Sequence, residues 1–205
     1  MLGVAPGARR TSPLEPVAAD AGLLDRIATT HASPPMVPTI QTERLRGERI
    51  RMEDREDLLV MHRDPKVMAT LGGVRSTDES DRFLSESVEH WDRHGFGLWI
   101  LREPGTGRYV GRAGLRHVDV GDGPEIELAY ALMSEFWGRG LATEVGREIL
   151  GIGFGPLGLK RLACFTSATN LGSRRVMEKL GFTFDREIIH GGSPHVLFHT
   201  HVSSS

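Results

Sequence analysis

One cysteine, Cys164, stands in 205 residues, so no intrachain disulfide can form and the thiolates of a structural zinc site are missing. Its neighbours Leu162, Ala163 and Phe165 mark it as a small core residue rather than a nucleophile. No apolar run approaches the ~18 residues that a membrane span requires. Neither sign of charge dominates: 25 Lys and Arg stand against 27 Asp and Glu, so no overall basic field calls for nucleic acid or an anionic membrane. After Arg9 and Arg10 comes Thr-Ser-Pro-Leu-Glu-Pro instead of an apolar stretch, so no signal peptide is read and the cytoplasm is expected. A Walker loop is excluded because no Gly-Lys-Ser/Thr tripeptide occurs. A dinucleotide fingerprint fails as well: Gly138-Arg139-Gly140-Leu141-Ala142-Thr143 carries Thr143 where the third glycine belongs. Lys160 and Arg161 stand about 20 residues on, where that fold needs an acid.

What is present is the make-up of a soluble globular protein, 39% hydrophobic and 25% charged. Residues 1–38 hold six of the 11 prolines (Pro6, Pro13, Pro16, Pro34, Pro35 and Pro38) and read as a tail, with one short helix around Leu23, Leu24 and Ile27. Residues 39–205 form the domain. A strand or bent hairpin is expected over 40–52, then helices opening at Glu53, at Asp64-Pro65 and at Ser76 or Thr77, the last stopped by Gly95. A hairpin over 97–118 and a strand over 125–133 follow. After them come a helix from Gly140 to Gly155-Pro156, a strand over 161–165, and a helix over 170–180 capped by Asn170 and ended by Gly181. Two strands, 182–189 and 196–202, close the chain. This order predicts an α+β (mixed α/β) domain around a mostly antiparallel sheet of six to seven strands.

The chemistry-bearing stretch runs from Glu125 to Thr143. Ile126, Leu128, Tyr130 and Leu132 alternate onto one strand face, and Glu125 and Glu127 share the other. Trp137 to Thr143 is a glycine-bearing turn that opens a helix. Unpaired N–H groups and the helix dipole favour an anion there, and Gly138 and Gly140 let it approach closely. Asn170-x-x-Ser173 opens the next helix.

Together these residues resemble the GNAT superfamily of acyl-coenzyme A-dependent N-acetyltransferases. The family's pyrophosphate loop, Arg/Gln-x-x-Gly-x-Gly/Ala, is matched by Trp137-Gly138-Arg139-Gly140-Leu141-Ala142, with an aromatic at its first position. That departure is similar to the branch containing the bacterial ribosomal-protein N-terminal (alanine/serine) acetyltransferases, whose Tyr/Phe-Trp-Gly-x-Gly-x-Ala-Thr-Glu fits Phe136 to Glu144. Thr42-Glu43-Arg44-Leu45, Asn170-Leu171-Gly172-Ser173 and Glu178-Lys179-Leu180-Gly181-Phe182 match further motifs of the branch, in order.

The resemblance implies transfer of acetyl from acetyl-coenzyme A to a primary amine, on a protein or peptide N-terminus or a small molecule. The sheet would splay at the family's fourth strand, letting the pantetheine arm pair like an extra strand. Glu127 matches the acid that accepts the amine proton, with Glu125 beside it. A backbone N–H near Leu132 or Met133 would face the thioester oxygen. Trp137, Gly138, Arg139, Gly140, Leu141, Ala142 and Thr143 would hold the pyrophosphate, and Asn170 and Ser173 would contact the coenzyme. Met177 stands where many members have a tyrosine acid and cannot donate. Ser173 is the nearest matching hydroxyl; otherwise the thiolate leaves unaided. Arg174 and Arg175 belong to the solvated helix face or the coenzyme's 3′-phosphate. No metal is expected at His195, His199 and His201, nor elsewhere. Trp91, Phe96 and Trp99 belong to the core or to an acceptor wall built from residues 64–96 and 189–197. Nucleic acid and membrane are not expected partners, and a homodimer is allowed. The alternatives are a noncatalytic acyl-coenzyme A-binding module and a transferase of a longer acyl group.

Overall fold

The computed structural model describes residues 36–202 apart from Asp122. The proposed tail helix around Leu23 to Ile27 therefore lies outside the described residues. In chain order the elements are β1 (Thr39–Gln41), β2 (Arg46–Arg49), a 3-10 turn (Met52–Asp54), α1 (Arg55–Arg63), α2 (Pro65–Met68) and α3 (Thr77–His94). Next come β3 (Leu98–Arg102), β4 (Tyr109–Asp119), β5 (Pro124–Leu132), a 3-10 turn (Ser134–Phe136) and α4 (Leu141–Phe154). β6 (Arg161–Ser167), α5 (Leu171–Lys179), β7 (Thr183–His190) and β8 (Ser193–His201) complete the domain.

The strands form one eight-stranded sheet in the order β1-β2-β3-β4-β5-β6-β8-β7. Six to seven strands were expected. The additional one arises because residues 40–52 are a bent hairpin: the Thr42 N–H donates to the Leu45 carbonyl at 2.8 Å and splits the segment into β1 and β2. Every neighbouring pair is antiparallel except β5–β6, which is parallel and pairs at Glu127↔Ala163 alone. Two antiparallel blocks, β1–β5 and β6–β8, thus meet along a nearly unpaired seam.

The local signals act as physics requires. The Ser76 hydroxyl accepts from the Glu79 N–H while the Glu79 carboxylate accepts from the Ser76 N–H, a reciprocal box that starts α3. Gly95 ends that helix in the left-handed conformation at φ 74°. Leu115 and Leu128 face one another across β4 and β5 and are fully buried with Val145 and Ile149 of α4. On the opposite face, Ala131 packs against Met61 of α1 and Val67 of α2. Trp91 and Trp99 are core residues rather than an exposed wall: both are buried, their rings meet edge to face at 5.3 Å, and the Trp91 indole N–H donates to the Leu98 carbonyl.

One interaction joins the first hairpin to the glycine turn. The Glu144 carboxylate, in the first turn of α4, accepts from the Thr42 hydroxyl at 2.6 Å, the Arg44 N–H at 2.9 Å and the Arg44 Nε at 2.7 Å. Arg44 also donates to the Arg139 carbonyl at 2.9 Å. Burial alone would raise the Glu144 pKa, but the hydrogen bonds from Thr42 and Arg44 and the Arg44 charge hold it below the usual carboxylate range.

Two consequences are measurable. A Cβ on Gly114 would lie 2.1 Å from the Gly97 carbonyl oxygen, a backbone atom with no room to yield. Gly114→Ala is therefore expected to destabilise the fold by about 1–3 kcal/mol in urea unfolding. Glu144→Gln should cost about 2 kcal/mol at neutral pH, the scale of hydrogen bonds to a charged group. Because the folded carboxyl is depressed, the wild-type advantage is full above the unfolded value of about 4.3 and disappears as pH falls through the folded value. A gap between the two unfolding curves that persisted at the acid end would contradict this assignment.

Candidate active site

The glycine turn sits between β5 and α4. Gly138 and Gly140 both take positive φ, 75° and 78°, and Gly140 is the N-cap of α4. No side chain caps that helix, so its first N–H groups face outward, and a Cβ on Gly138 would meet nothing within 4 Å. An uncapped 14-residue helix with open glycines before it fits a pyrophosphate. The side chains of Leu141 and Thr143 are buried, so these two can offer only backbone to a ligand; Ala142 is half-buried. Trp137 is half-exposed, and its indole N–H donates to the Leu132 carbonyl at 2.8 Å. The Arg139 and Arg108 guanidiniums both lie over the buried Phe136 ring, at 5.3 and 4.9 Å.

At the end of β5 the two candidate thioester donors separate. The Met133 N–H is already donated to the Val110 carbonyl at 2.9 Å, so it is not free for a ligand oxygen. In an antiparallel ladder the next residue points its backbone groups the other way. Leu132 thus turns away from β4 and toward the seam, with its carbonyl held by Trp137.

Glu127 lies at the one position where β5 and β6 pair, and it is buried. Its cross-strand partner on β4 is Arg116, whose Nε donates to Glu127 Oε2 at 2.6 Å. Arg112, four residues before along the same face of β4, is also buried, and its guanidinium lies 4.6 Å from the Phe83 ring. Burial first, then the Arg116 charge, lower the Arg112 pKa to about 9, and its Nε has no hydrogen-bond partner. Nearby His62 is kept neutral: burial and the Arg112 and Arg75 charges lower it to about 3. Glu125 has a different environment, paired to Arg161 and 3.3 Å from His199 Nε2. Both acids are ion-paired, Glu125 to Arg161 and Glu127 to Arg116; what sets Glu127 apart is its place at the seam.

On the opposite face, Ser173 at the start of α5 meets a residue that the sequence reading placed only in the strand pattern. The Tyr130 hydroxyl is 2.8 Å from the Ser173 hydroxyl and 3.2 Å from the Ser173 carbonyl. Burial raises the Tyr130 pKa, the Cys164 side chain adding to it, so the phenol stays protonated and can donate. Asn170 is held at both ends, accepting from the Ser173 N–H at 3.0 Å and donating to the Thr70 hydroxyl at 3.1 Å. Met177 is fully buried in the core. Cys164 is buried too, and its thiol is pushed well up, as an inert core residue requires. Of the C-terminal histidines, His195 Nδ1 contacts the Ser193 carbonyl and His199 contacts Glu125. Arg174 donates to the Ala168 carbonyl.

Sequence reading missed Arg116 and Tyr130. Once the β4–β5 register is known, Arg116 faces Glu127 directly; composition and spacing along one strand carry no such signal. A surface depression of about 480 Å³, lined by Leu150, Phe154, Leu180 and His201, lies at the far end of α4. Ten residues of helix, about 15 Å, separate it from the glycine turn, and it takes no part in the site.

Comparison with known proteins agrees with this geometry. The family model described as "Acetyltransferase (GNAT) domain" matches residues 44–183. The FsC-acetyl coenzyme A-N(2)-transacetylase of Aspergillus fumigatus is 30% identical over 158 residues, covering 71% of this chain and 65% of that protein. A GnaT-family acetyltransferase structure from Bordetella pertussis superposes with a TM-score of 0.70 at 27% identity, over 78% of this chain and 98% of its own. An acetyltransferase structure from Agrobacterium tumefaciens gives 0.72 at 25% identity, over 80% and 95%. With uncapped helix, open seam and family match in agreement, the chain belongs to the GNAT family of acyl-coenzyme A-dependent N-acetyltransferases.

Proposed function

We propose that this chain transfers acetyl from acetyl-coenzyme A to a primary amine by direct attack within a ternary complex. The observation that carries the reading is the position of Glu127, a buried carboxylate at the last paired residue before the seam opens. Bound acetyl-coenzyme A supplies the activated thioester; the protein supplies orientation, charge stabilisation and proton handling.

The first N–H groups of α4, from about Arg139 to Thr143, would receive the pyrophosphate, with the Arg139 guanidinium beside them. The unpaired edges of β5 and β6 would receive the extended pantetheine arm, which places the thioester near Leu132. The Leu132 N–H then faces the carbonyl oxygen as its negative charge grows. The amine must be neutral to attack. Its proton passes, directly or through a water, to the Glu127 oxygen that Arg116 does not hydrogen-bond. The amine nitrogen bonds to the acetyl carbon, the carbon–sulfur bond breaks, and the thiolate takes a hydrogen bond or proton from Ser173. Tyr130 stands behind Ser173 at 2.8 Å; its one proton goes either to the Ser173 carbonyl, with the serine donating to the phenol, or to the serine hydroxyl, and the second arrangement frees the serine proton to point outward. This pair provides the hydroxyl that Met177 lacks, which weighs against a noncatalytic binding module.

The acceptor is a protein or peptide N-terminus, as the motif resemblance favours, or a small-molecule amine. It would approach on the Glu127 face, between α1–α3 and the β7–β8 hairpin. An acetyl-transfer screen of amines and peptides, read by thiol release, identifies it.

Glu127→Gln is expected to lower kcat by about 10²–10⁴-fold while thermal stabilisation by acetyl-coenzyme A persists; unchanged turnover removes Glu127 from the base role. Tyr130→Phe should lower kcat by about tenfold, the worth of one hydrogen bond, with KM for acetyl-coenzyme A unmoved, and Ser173→Ala should lower it further. Full kcat in both variants would mean that the thiolate departs unaided.

A further inference from the structure

His90, His94 and His117 play no part in the chemistry above, yet they form a group of their own. His90 and His94 are four residues apart on the last turns of α3 and therefore share a helix face. His117 reaches them from β4. One nitrogen from each ring lies within 4.8 Å of one nitrogen from each of the others. His90 Nε2 and His117 Nδ1 are 3.1 Å apart, and the His94 and His117 ring centroids 4.2 Å.

The hydrogen bonding assigns the lone pairs. His90 Nδ1 lies 2.9 Å from the Phe96 carbonyl oxygen, which can only accept, so Nδ1 carries the proton. His90 Nε2 then bears a lone pair, which accepts from the His117 backbone N–H at 3.1 Å, a hydrogen bond that an incoming ion would replace. A ring whose far nitrogen is tied to a backbone carbonyl has its tautomer and orientation fixed as metal-binding histidines usually do. Among the described residues, none of the three has an ion pair or hydrogen bond to a carboxylate.

We propose that His90, His94 and His117 bind one divalent transition ion of the zinc, cobalt or nickel class, with a remaining coordination position open to solvent or ligand. The all-imidazole set selects these borderline ions over magnesium or calcium, which require oxygen donors. Three histidines and an open position is also a known zinc arrangement. His90 and His117 line a cavity of about 140 Å³ that Arg116 borders as well. The ion would therefore sit one residue along β4 from the arginine that holds Glu127, at the margin of the acceptor side. The sequence led to no expectation of metal at the C-terminal histidines or elsewhere, and this proposed site departs from that.

The test uses untagged full-length protein stripped of metal with a chelator. Titration with Co(II) should give one equivalent bound per chain, with the visible absorption bands of a four- or five-coordinate site, and Zn(II) should displace it stoichiometrically. His94→Ala and His117→Ala should each weaken binding by at least about tenfold, whereas His201→Ala, on an exposed residue of β8, should leave it unchanged. Circular dichroism of the metal-free variants separates lost ligation from lost folding, and exposed His117 provides the variant least able to disturb the core. Weak or non-stoichiometric cobalt binding by the wild type, or unchanged affinity and spectrum in folded His94→Ala and His117→Ala, overturns the assignment.

Discussion

The Glu144 carboxylate is the point on which the ligand-facing end of the domain depends. It gathers Thr42 and Arg44 from the first hairpin and sits in the first turn of α4. Arg44 in turn holds the Arg139 carbonyl. A trans peptide points its N–H opposite its C=O, so fixing that carbonyl toward Arg44 directs the Gly140 N–H the other way. A negative side chain here also complements the positive end of the helix dipole without covering the N–H groups. The turn is thus braced from behind and left open in front, which is what a site for an anion requires.

The seam distributes the other functional groups. Alternation on β5 sends Glu127 to the face covered by α1–α3 and Tyr130 to the face covered by α4 and α5. In the proposed mechanism, proton acceptance and proton donation therefore fall on opposite sides of one strand. Each is held by a partner from a different element, Arg116 from β4 and Ser173 from α5. The seam itself exists because β6 arrives by the single parallel crossover of the sheet and engages β5 at one position.

Much of this was legible in the chain. Ser76, Gly95, Asn170 and Gly181 punctuate the helices where capping chemistry says they should, and the Glu125–Thr143 stretch folds as strand, turn and helix. The hairpin at residues 39–49 was only half legible, because a bend and a turn leave the same apolar pattern at Leu45 and Ile50. What one chain could not reveal was register. The Arg116–Glu127 and Tyr130–Ser173 contacts cross 11 and 43 residues, and they follow from strand pairing and helix docking rather than from local spacing. Met133 was an equal candidate with Leu132 until the ladder showed its N–H engaged by Val110. Trp91 and Trp99 were ambiguous for a related reason, since an aromatic stripe reads alike in a core and in a pocket wall.

The single Glu127↔Ala163 pair also bears on how the sheet opens. Two well-laddered antiparallel blocks that share one register position have their lowest density of backbone hydrogen bonds along that line. Sub-global opening of a fold follows such lines, so the two blocks are natural cooperative units and the seam is the boundary between them. An extended ligand lying there, as proposed for the pantetheine arm, would supply the missing rungs from outside the chain. Its binding energy would then become cohesion between the blocks, coupling occupancy to the mechanical integrity of the whole domain.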